Sequence, residues 1–385
     1  MIYLDAQART PLHPRVNHYM QECIASDLGA NPHSRHYLGQ QVMTQIDQER
    51  QRVAEALGGL FSEIIFTSGA TEANNLAVQG IIHTALEDCD YGEVITSPLE
   101  HEAILAPLAY LQEIYSDRLV IHYLEPDQYG QIDPEQLYQS LTDNTILVTL
   151  MHAHNELGTI YPIAKYGNII KKHRQQHNQQ YPVFHSDGAQ AVWSETPDLS
   201  RMTIDAYSFS GHKLYGPSGS GGLYVKDRSL LRPIIYGGGQ EYGLRSGTLN
   251  TLAIQGLGQA MSQLNTADHK EEVARVRQYR DTLQETLISF PGVNILGSSS
   301  SRLPHNLYCT VSDCDQETLL LRCDLQELAV SSGSACHSGA LQQSQTLQVL
   351  EVDESAVLRI SPHAFLSWTD IAIACQKLHD IMSSL

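Results

Sequence analysis

Ser210, His212 and Lys213 stand together in residues 206–216, AYSFSGHKLYG, a glycine-bounded turn after a β-rich run. A lysine so placed can form a Schiff base with an aldehyde cofactor, while the hydroxyl and imidazole beside it hold that cofactor's phosphate. Asp187 closes the apolar run in residues 184–190, FHSDGAQ. A carboxylate there caps a strand or, beside a pyridine nitrogen, keeps that nitrogen protonated so that the ring accepts electrons from a substrate carbanion. Residues 66–74, FTSGATEAN, pass from a strand-like run through small residues into a helical pattern. Ala70 and Thr71 would then open a helix whose free N–H groups suit an anion, although a plain strand-to-helix turn fits the same letters. Cys336 lies in residues 329–340, AVSSGSACHSGA, with small neighbours on both sides, a setting for a thiol that must move between a bound substrate and an outside acceptor. The other six cysteines, 23, 89, 309, 314, 323 and 375, read as buried small hydrophobes without metal-like spacing, so no metal site is expected. Arg359, in the apolar run VLRIS, has the planar fork that binds a carboxylate in two places.

These residues follow strands. Short β-rich runs at 64–67, 94–97, 119–124, 145–151, 182–186, 206–210 and 221–225 alternate with longer helical stretches, the pattern of an α/β sheet covered on both faces. Beyond about residue 255 the texture changes to a charged helix over 270–289 and strands near 305–311, 329–332 and 357–361, which predicts a smaller α+β lobe. In open α/β sheets the site lies beyond the carboxyl ends of the strands, which is where these residues fall. At 385 residues the chain is long enough for two lobes around a cleft. A net charge of −19 argues against direct binding to nucleic acid or an anionic membrane. The start, Met1-Ile2-Tyr3-Leu4-Asp5, carries no signal peptide, and the apolar runs are too short to span a bilayer, so a cytoplasmic protein with reduced thiols is expected.

Taken together, the motifs resemble the cysteine desulfurases, a branch of the class V aminotransferases with fold type I architecture, nearly end to end from Tyr3 to about Ser361. The resemblance implies pyridoxal 5'-phosphate, a large domain over 13–254 with a mostly parallel seven-stranded sheet, and a small domain from 1–12 and 255–385 carrying the cysteine loop and the substrate arginine. It implies that Lys213 holds the cofactor, Asp187 pairs with its ring nitrogen, and His101, in SPLEHEAI, stacks on the ring and moves protons. Asn155, in MHAHNELG, and Gln190 would contact the phenolate oxygen. Ala70, Thr71, Ser210 and His212 would form the phosphate cup, with Thr248, in LRSGT, reaching in from the partner of a homodimer. Arg359, assisted by Asn31, would bind the carboxylate of L-cysteine. Cys336 would take the sulfur as a persulfide and pass it to an acceptor protein.

The chain departs from the family pattern in two places. Gln7 and Arg9, in DAQARTP, are expected to line the cleft mouth, and Pro362-His363 after Arg359 to alter the pocket rim. Its end at Leu385 lacks the extension by which housekeeping members dock an iron–sulfur scaffold, which leaves iron–sulfur assembly, tRNA thiolation and DNA phosphorothioation as candidate pathways. The alternatives are a selenocysteine lyase or small-amino-acid aminotransferase of the same fold, and a scaffold that only binds a sulfur carrier. A dehydrogenase is disfavoured, because the glycine run 237–239 comes too late for a dinucleotide fingerprint.

Overall fold

The computed structural model describes residues 1–27, 29–333, 344–352 and 356–385. The chain opens with a two-residue strand, β1 (Ile2–Tyr3), and then lays down the large sheet: β2 (Ile64–Thr67), β3 (Gly92–Thr96), β4 (Leu119–Tyr123), β5 (Thr145–Thr149), β6 (Val183–Asp187), β7 (Ala206–Ser210) and β8 (Gly221–Val225). All seven expected strands form, in the order β2-β8-β7-β6-β5-β3-β4. Every pairing is parallel except those of β8, which runs antiparallel to β2 and β7. Six of the seven are buried along their whole length, so β2 and β5 read as largely apolar runs, IIFT and TILVT, while β6 and β7, VFHSD and AYSFS, bury polar residues as well; β4, at the edge, ends exposed.

Helices cover both faces. Tyr37–Leu57 packs beneath one face with Thr251–Met261, while Ala70–Asp88 and Glu102–Tyr115 cover the other, giving two separate apolar cores on either side of the sheet. The expected charged helix runs Ala267–Ile288, its first turn capped by Thr266, whose Oγ1 accepts from His269 N at 3.2 Å. It packs with Trp368–Ser383 against the antiparallel sheet β12-β10-β9, made of β9 (Val293–Ile295), β10 (Leu307–Val311) and β12 (Ala356–Ile360). The N-terminal Ile2 and Leu4 complete this third core, because β1 pairs in parallel with β11 (Leu328–Ala329). Two-residue strands carry no period, so β1 was not legible in the sequence. No helix among the described residues is long and apolar enough to cross a membrane.

Candidate active site

The carboxyl ends of β2, β3, β5, β6 and β7 and the start of antiparallel β8 all open on one cavity of about 490 Å³. That is within the size range of small-molecule and cofactor sites. Its walls include Ala70, Thr71, His101, Asn155, Asp187, Gln190, Ser210, His212, Lys213 and Arg359, so residues spread over nearly three hundred positions converge. Among the expected residues, Asn31 and Thr248 do not reach it within this chain. Asn31 is exposed, its Oδ1 accepting from His33 N at 2.9 Å, and Thr248 is exposed on the loop after Arg245. Cys336 lies outside the described residues.

One end of the cavity is built for an anion. Gly69 is the N-cap of the helix Ala70–Asp88 and offers no side chain to its first N–H groups, which leaves them for a ligand. A Cβ on Gly221 would come within 2.6 Å of the Gly69 Cα, so bare backbone is needed for β8 to pass beneath this turn. Opposite stand Ser210 Oγ and His212 Nδ1, 2.8 Å apart. Burial, then the charges of Lys213 and Arg9, push His212 down to about 4, so at neutral pH it is an uncharged partner. Glu72 supports the turn from behind, accepting from Ser68 N at 2.9 Å and from Arg245 Nε at 2.7 Å. Although burial pushes its carboxyl upward, those hydrogen bonds hold it below the usual carboxylate range.

Midway along, Asp187 is buried at the end of β6, its Oδ1 accepting from Ala189 N at 2.8 Å and its Oδ2 from Asn74 Nδ2 at 2.6 Å. Two donors fix the carboxylate as a negative pole facing the cavity. Asn74 is 1% exposed, a polar residue on an otherwise apolar helix face, and that anomaly was the available signal for it in the sequence. The chain turns sharply after Asp187, where a Cβ on Gly188 would lie 2.0 Å from the Tyr207 ring. His101 caps the helix Glu102–Tyr115, its Nδ1 accepting from Ala103 N at 3.0 Å, which places the proton of the neutral ring on Nε2. Behind it Glu100 is fully buried, holding Met151 N at 2.7 Å; burial raises its pKa well above the ordinary value.

Lys213 Nζ donates to the carbonyl oxygens of Gln7 and, at 3.0 Å, of Ala8. Gln7 lines the cavity as expected, but from the interior rather than at its mouth, being 1% exposed. Its N–H donates to Ser361 Oγ at 3.0 Å, its Nε2 donates to Asn155 O at 3.3 Å, and its Oε1 accepts from Asn306 Nδ2 at 2.8 Å. The pairing of β1 with β11 carries the following residues inward, which decides this burial. Arg9 does remain exposed beside the cavity. Pro362 and His363 are likewise buried away from the rim: His363 faces the Tyr3 and Phe365 rings, and the next N–H, of Ala364, donates to Tyr215 OH at 2.9 Å.

At the far end Arg359 is 2% exposed. Nη1 donates to Asn155 O and Nη2 to Asp5 Oδ1, each at 3.0 Å, while Nε has no partner among the described residues. Its strand also bridges Ser331, whose carbonyl accepts from Arg359 N at 2.6 Å, so the segment leading to Cys336 leaves from the arginine's own edge. The sequence reading missed Glu156. Buried next to Asn155, its Oε2 accepts from Ser344 Oγ at 2.6 Å and from Tyr308 OH at 3.3 Å, and a Cβ on Gly333 would sit 3.5 Å from that oxygen. One carboxylate thus touches both described flanks of residues 334–343.

The donor set fits pyridoxal phosphate: an anion cup, a carboxylate for a cationic ring nitrogen and a lysine for an aldehyde all line the one cavity. The model of the family described as aminotransferase class-V matches residues 2–372. A cysteine desulfurase from Pseudomonas putida, IscS, is 37% identical over 392 aligned residues, covering 100% of this chain and 93% of the relative. The chain belongs to the cysteine desulfurase branch of the class V aminotransferases, a pyridoxal-phosphate-dependent family. Among solved structures, a NifS-like protein superposes with a TM-score of 0.89 at 29% identity, covering 100% of both chains. The structure of SspA in complex with cysteine superposes with a TM-score of 0.81 at 32% identity, covering 95% of this chain and 100% of that one. The expected fold type I architecture is therefore the one found.

Proposed function

We propose that this cavity desulfurates L-cysteine, releasing L-alanine and leaving the sulfur as a persulfide on Cys336 for an acceptor protein. The observation that carries the reading is that Lys213, Asp187 and Arg359, from three separate elements, all line one cavity. When bound, pyridoxal phosphate holds the substrate's amino group and draws electron density from its α-carbon. Ala70, Thr71, Ser210 and His212 would hold its phosphate, Asp187 would keep its ring nitrogen protonated, and Asn155 and Gln190 would contact its phenolate oxygen. Arg359 receives the substrate carboxylate. Lys213, once released from the cofactor, removes the α-proton, and His101, through Nε2, moves a proton between the substrate thiol and Cys336. The Cys336 thiolate would attack the substrate sulfur; the S–S bond forms as the C–S bond breaks, its electron pair passes to the β-carbon, which takes up a proton, and the return of a proton to the α-carbon completes alanine.

The identity of the sulfur nucleophile rests on elimination as well as on the small residues around it. None of the six described cysteines lines the cavity. Burial pushes Cys309 up to about 12 and Cys323 up to about 11, leaving both as thiols at neutral pH. In this reading residues 13–254 form the cofactor domain, while 1–12 and 255–385 bring the arginine and the cysteine to it. Thr248, exposed in one chain, completes the cup of a second copy, and Asn31 assists Arg359 at the substrate carboxylate.

Mass spectrometry after brief exposure of the yellow holoenzyme to L-cysteine tests the proposal. One added sulfur is expected on the peptide containing Cys336, and Cys336→Ser should bind the cofactor yet form no alanine. Sulfur found instead on Cys309, Cys314 or Cys323, or normal turnover by the serine variant, would overturn it.

A further inference from the structure

At the amino end of β5, away from the cavity at the carboxyl ends of the strands, the turn before the strand meets the helix Ile163–His177. His173 and His177 are four residues apart on that helix and so share a face. Asp143 approaches them from the turn, and one ligand atom from each of the three lies within 4.8 Å of the others. Among the described residues no other group of three or more such side chains meets this condition. We propose that Asp143, His173 and His177 bind a first-row divalent transition-metal ion, of which zinc and nickel are the natural classes.

The donor types carry the first part of the argument. Two imidazoles and one carboxylate suit zinc, nickel or copper, whereas magnesium and calcium favour all-oxygen sets. Geometry carries the second. Ligands at about 2.0–2.2 Å from a tetrahedral zinc are roughly 3.4 Å apart, a closure that small side-chain rotations achieve from the present spacing. His177 Nδ1 already lies 2.5 Å from Asp143 Oδ1, and the two imidazoles stack with centroids 4.4 Å apart. The third part is the orientation of His173. It is 6% exposed, so packing holds its ring on the face that Asp143 and His177 share. His173 Nε2 meets the Gln179 amide only at 3.4 Å. Asp143 and His177 are 70% and 40% exposed, which leaves a path for the ion and a fourth position for water.

Such an ion would staple the 142–144 turn to the helix that crosses from β5 to β6. Its effect is therefore on stability, and it takes no part in the chemistry at Lys213. A simple His177–Asp143 ion pair is the competing account, and the two differ in what they do with metal.

Zinc chloride, and separately nickel chloride, titrated into the holoenzyme by calorimetry should show one site of micromolar or tighter affinity. The melting temperature should rise with metal concentration, as for any ligand that binds only the folded state. His177→Ala changes a partly exposed side chain and should fold. It should lose the melting shift and weaken binding by roughly tenfold or more, the scale seen even when an outer support of a metal site is removed. Asp143→Asn should do the same in smaller degree, and both should keep the yellow colour and cysteine turnover of wild type. Repeating the titration in Cys336→Ser separates this site from a thiol that could also take zinc. Absence of metal binding, or binding undiminished in His177→Ala within the Cys336→Ser background, would overturn the assignment and leave only an ion pair.

Discussion

Replacing Arg359 by lysine keeps the positive charge and removes the fork, which isolates what the guanidinium shape contributes. A guanidinium has five N–H donors. Two are engaged, one to Asn155 O and one to Asp5 Oδ1, which leaves Nε–H and a hydrogen on each terminal nitrogen for the substrate carboxylate. Lysine at the same position can keep the contact with Asp5 or reach the carboxylate at a single point. The expected loss is one charge-assisted hydrogen bond, about 1.5–3 kcal/mol. At 1.4 kcal/mol per factor of ten, that is a rise of roughly 10- to 150-fold in the apparent KM for L-cysteine. Arg359→Ala should be worse in a different way, because it also strips the partner from Asp5, whose side chain is only 18% exposed. Its melting temperature should therefore fall as well as its affinity. Alanine formation measured against L-cysteine concentration, alongside the cofactor absorbance, separates these effects: the band should be unchanged in Arg359→Lys. If KM were unaltered in both variants, the carboxylate would be held elsewhere in the cavity and the role given to Arg359 would fail.

Glu156→Gln should slow sulfur loading of Cys336 by about tenfold, since the bond from Ser344 Oγ loses its charged acceptor, while KM for cysteine stays near wild type because Arg359 is intact. Rapid-mixing mass spectrometry checks this, and loading at the wild-type rate would show that the Glu156 contact does not position the cysteine segment. A separate expectation concerns acid. Burial pushes His152 and His154 down to about 4 and His185 and His305 down to about 3. The unfolded chain takes up protons at about pH 6.5 where the folded one does not, so stability should fall as pH drops from 6.5 towards 4. At pH 5.5 the cost is about 1.4 kcal/mol for each fully shifted group. Glu100, Glu49, Glu195 and Asp47, all raised by burial, act in the opposite direction, while His212 and His363, also pushed down to about 4, add to the loss. Urea midpoints at pH 8 and 5.5 should differ clearly, and a flat profile across that range would contradict the buried, uncharged state of these histidines.

Much of this protein is written locally. Short β-rich runs set between longer helical stretches mark the strands of a covered sheet, so β2 to β8 could be placed within a few residues, and a site at strand ends followed from that order. Lys213, Asp187, Ser210 and His212 were legible for the same reason, each lying within a short motif whose letters suit one chemical task. Other features had no local trace. Gln7 and Glu156 act through contacts with residues about 150 or more positions away, Asn306 for the first and Ser344 for the second, and nothing in their neighbours announces the meeting. The burial of Gln7 depends on β1, a pairing of two residues with β11 across more than three hundred positions. Pro362 and His363 looked like rim residues because they follow Arg359, yet the packing of Tyr3, Phe365 and Tyr215 turns them into the interior. Composition and period specify which residues must be buried and in which element. Which distant surfaces come to face each other is set by how the three cores close, and that closure placed Glu156 against both flanks of the cysteine segment and Asp143 against His173 and His177.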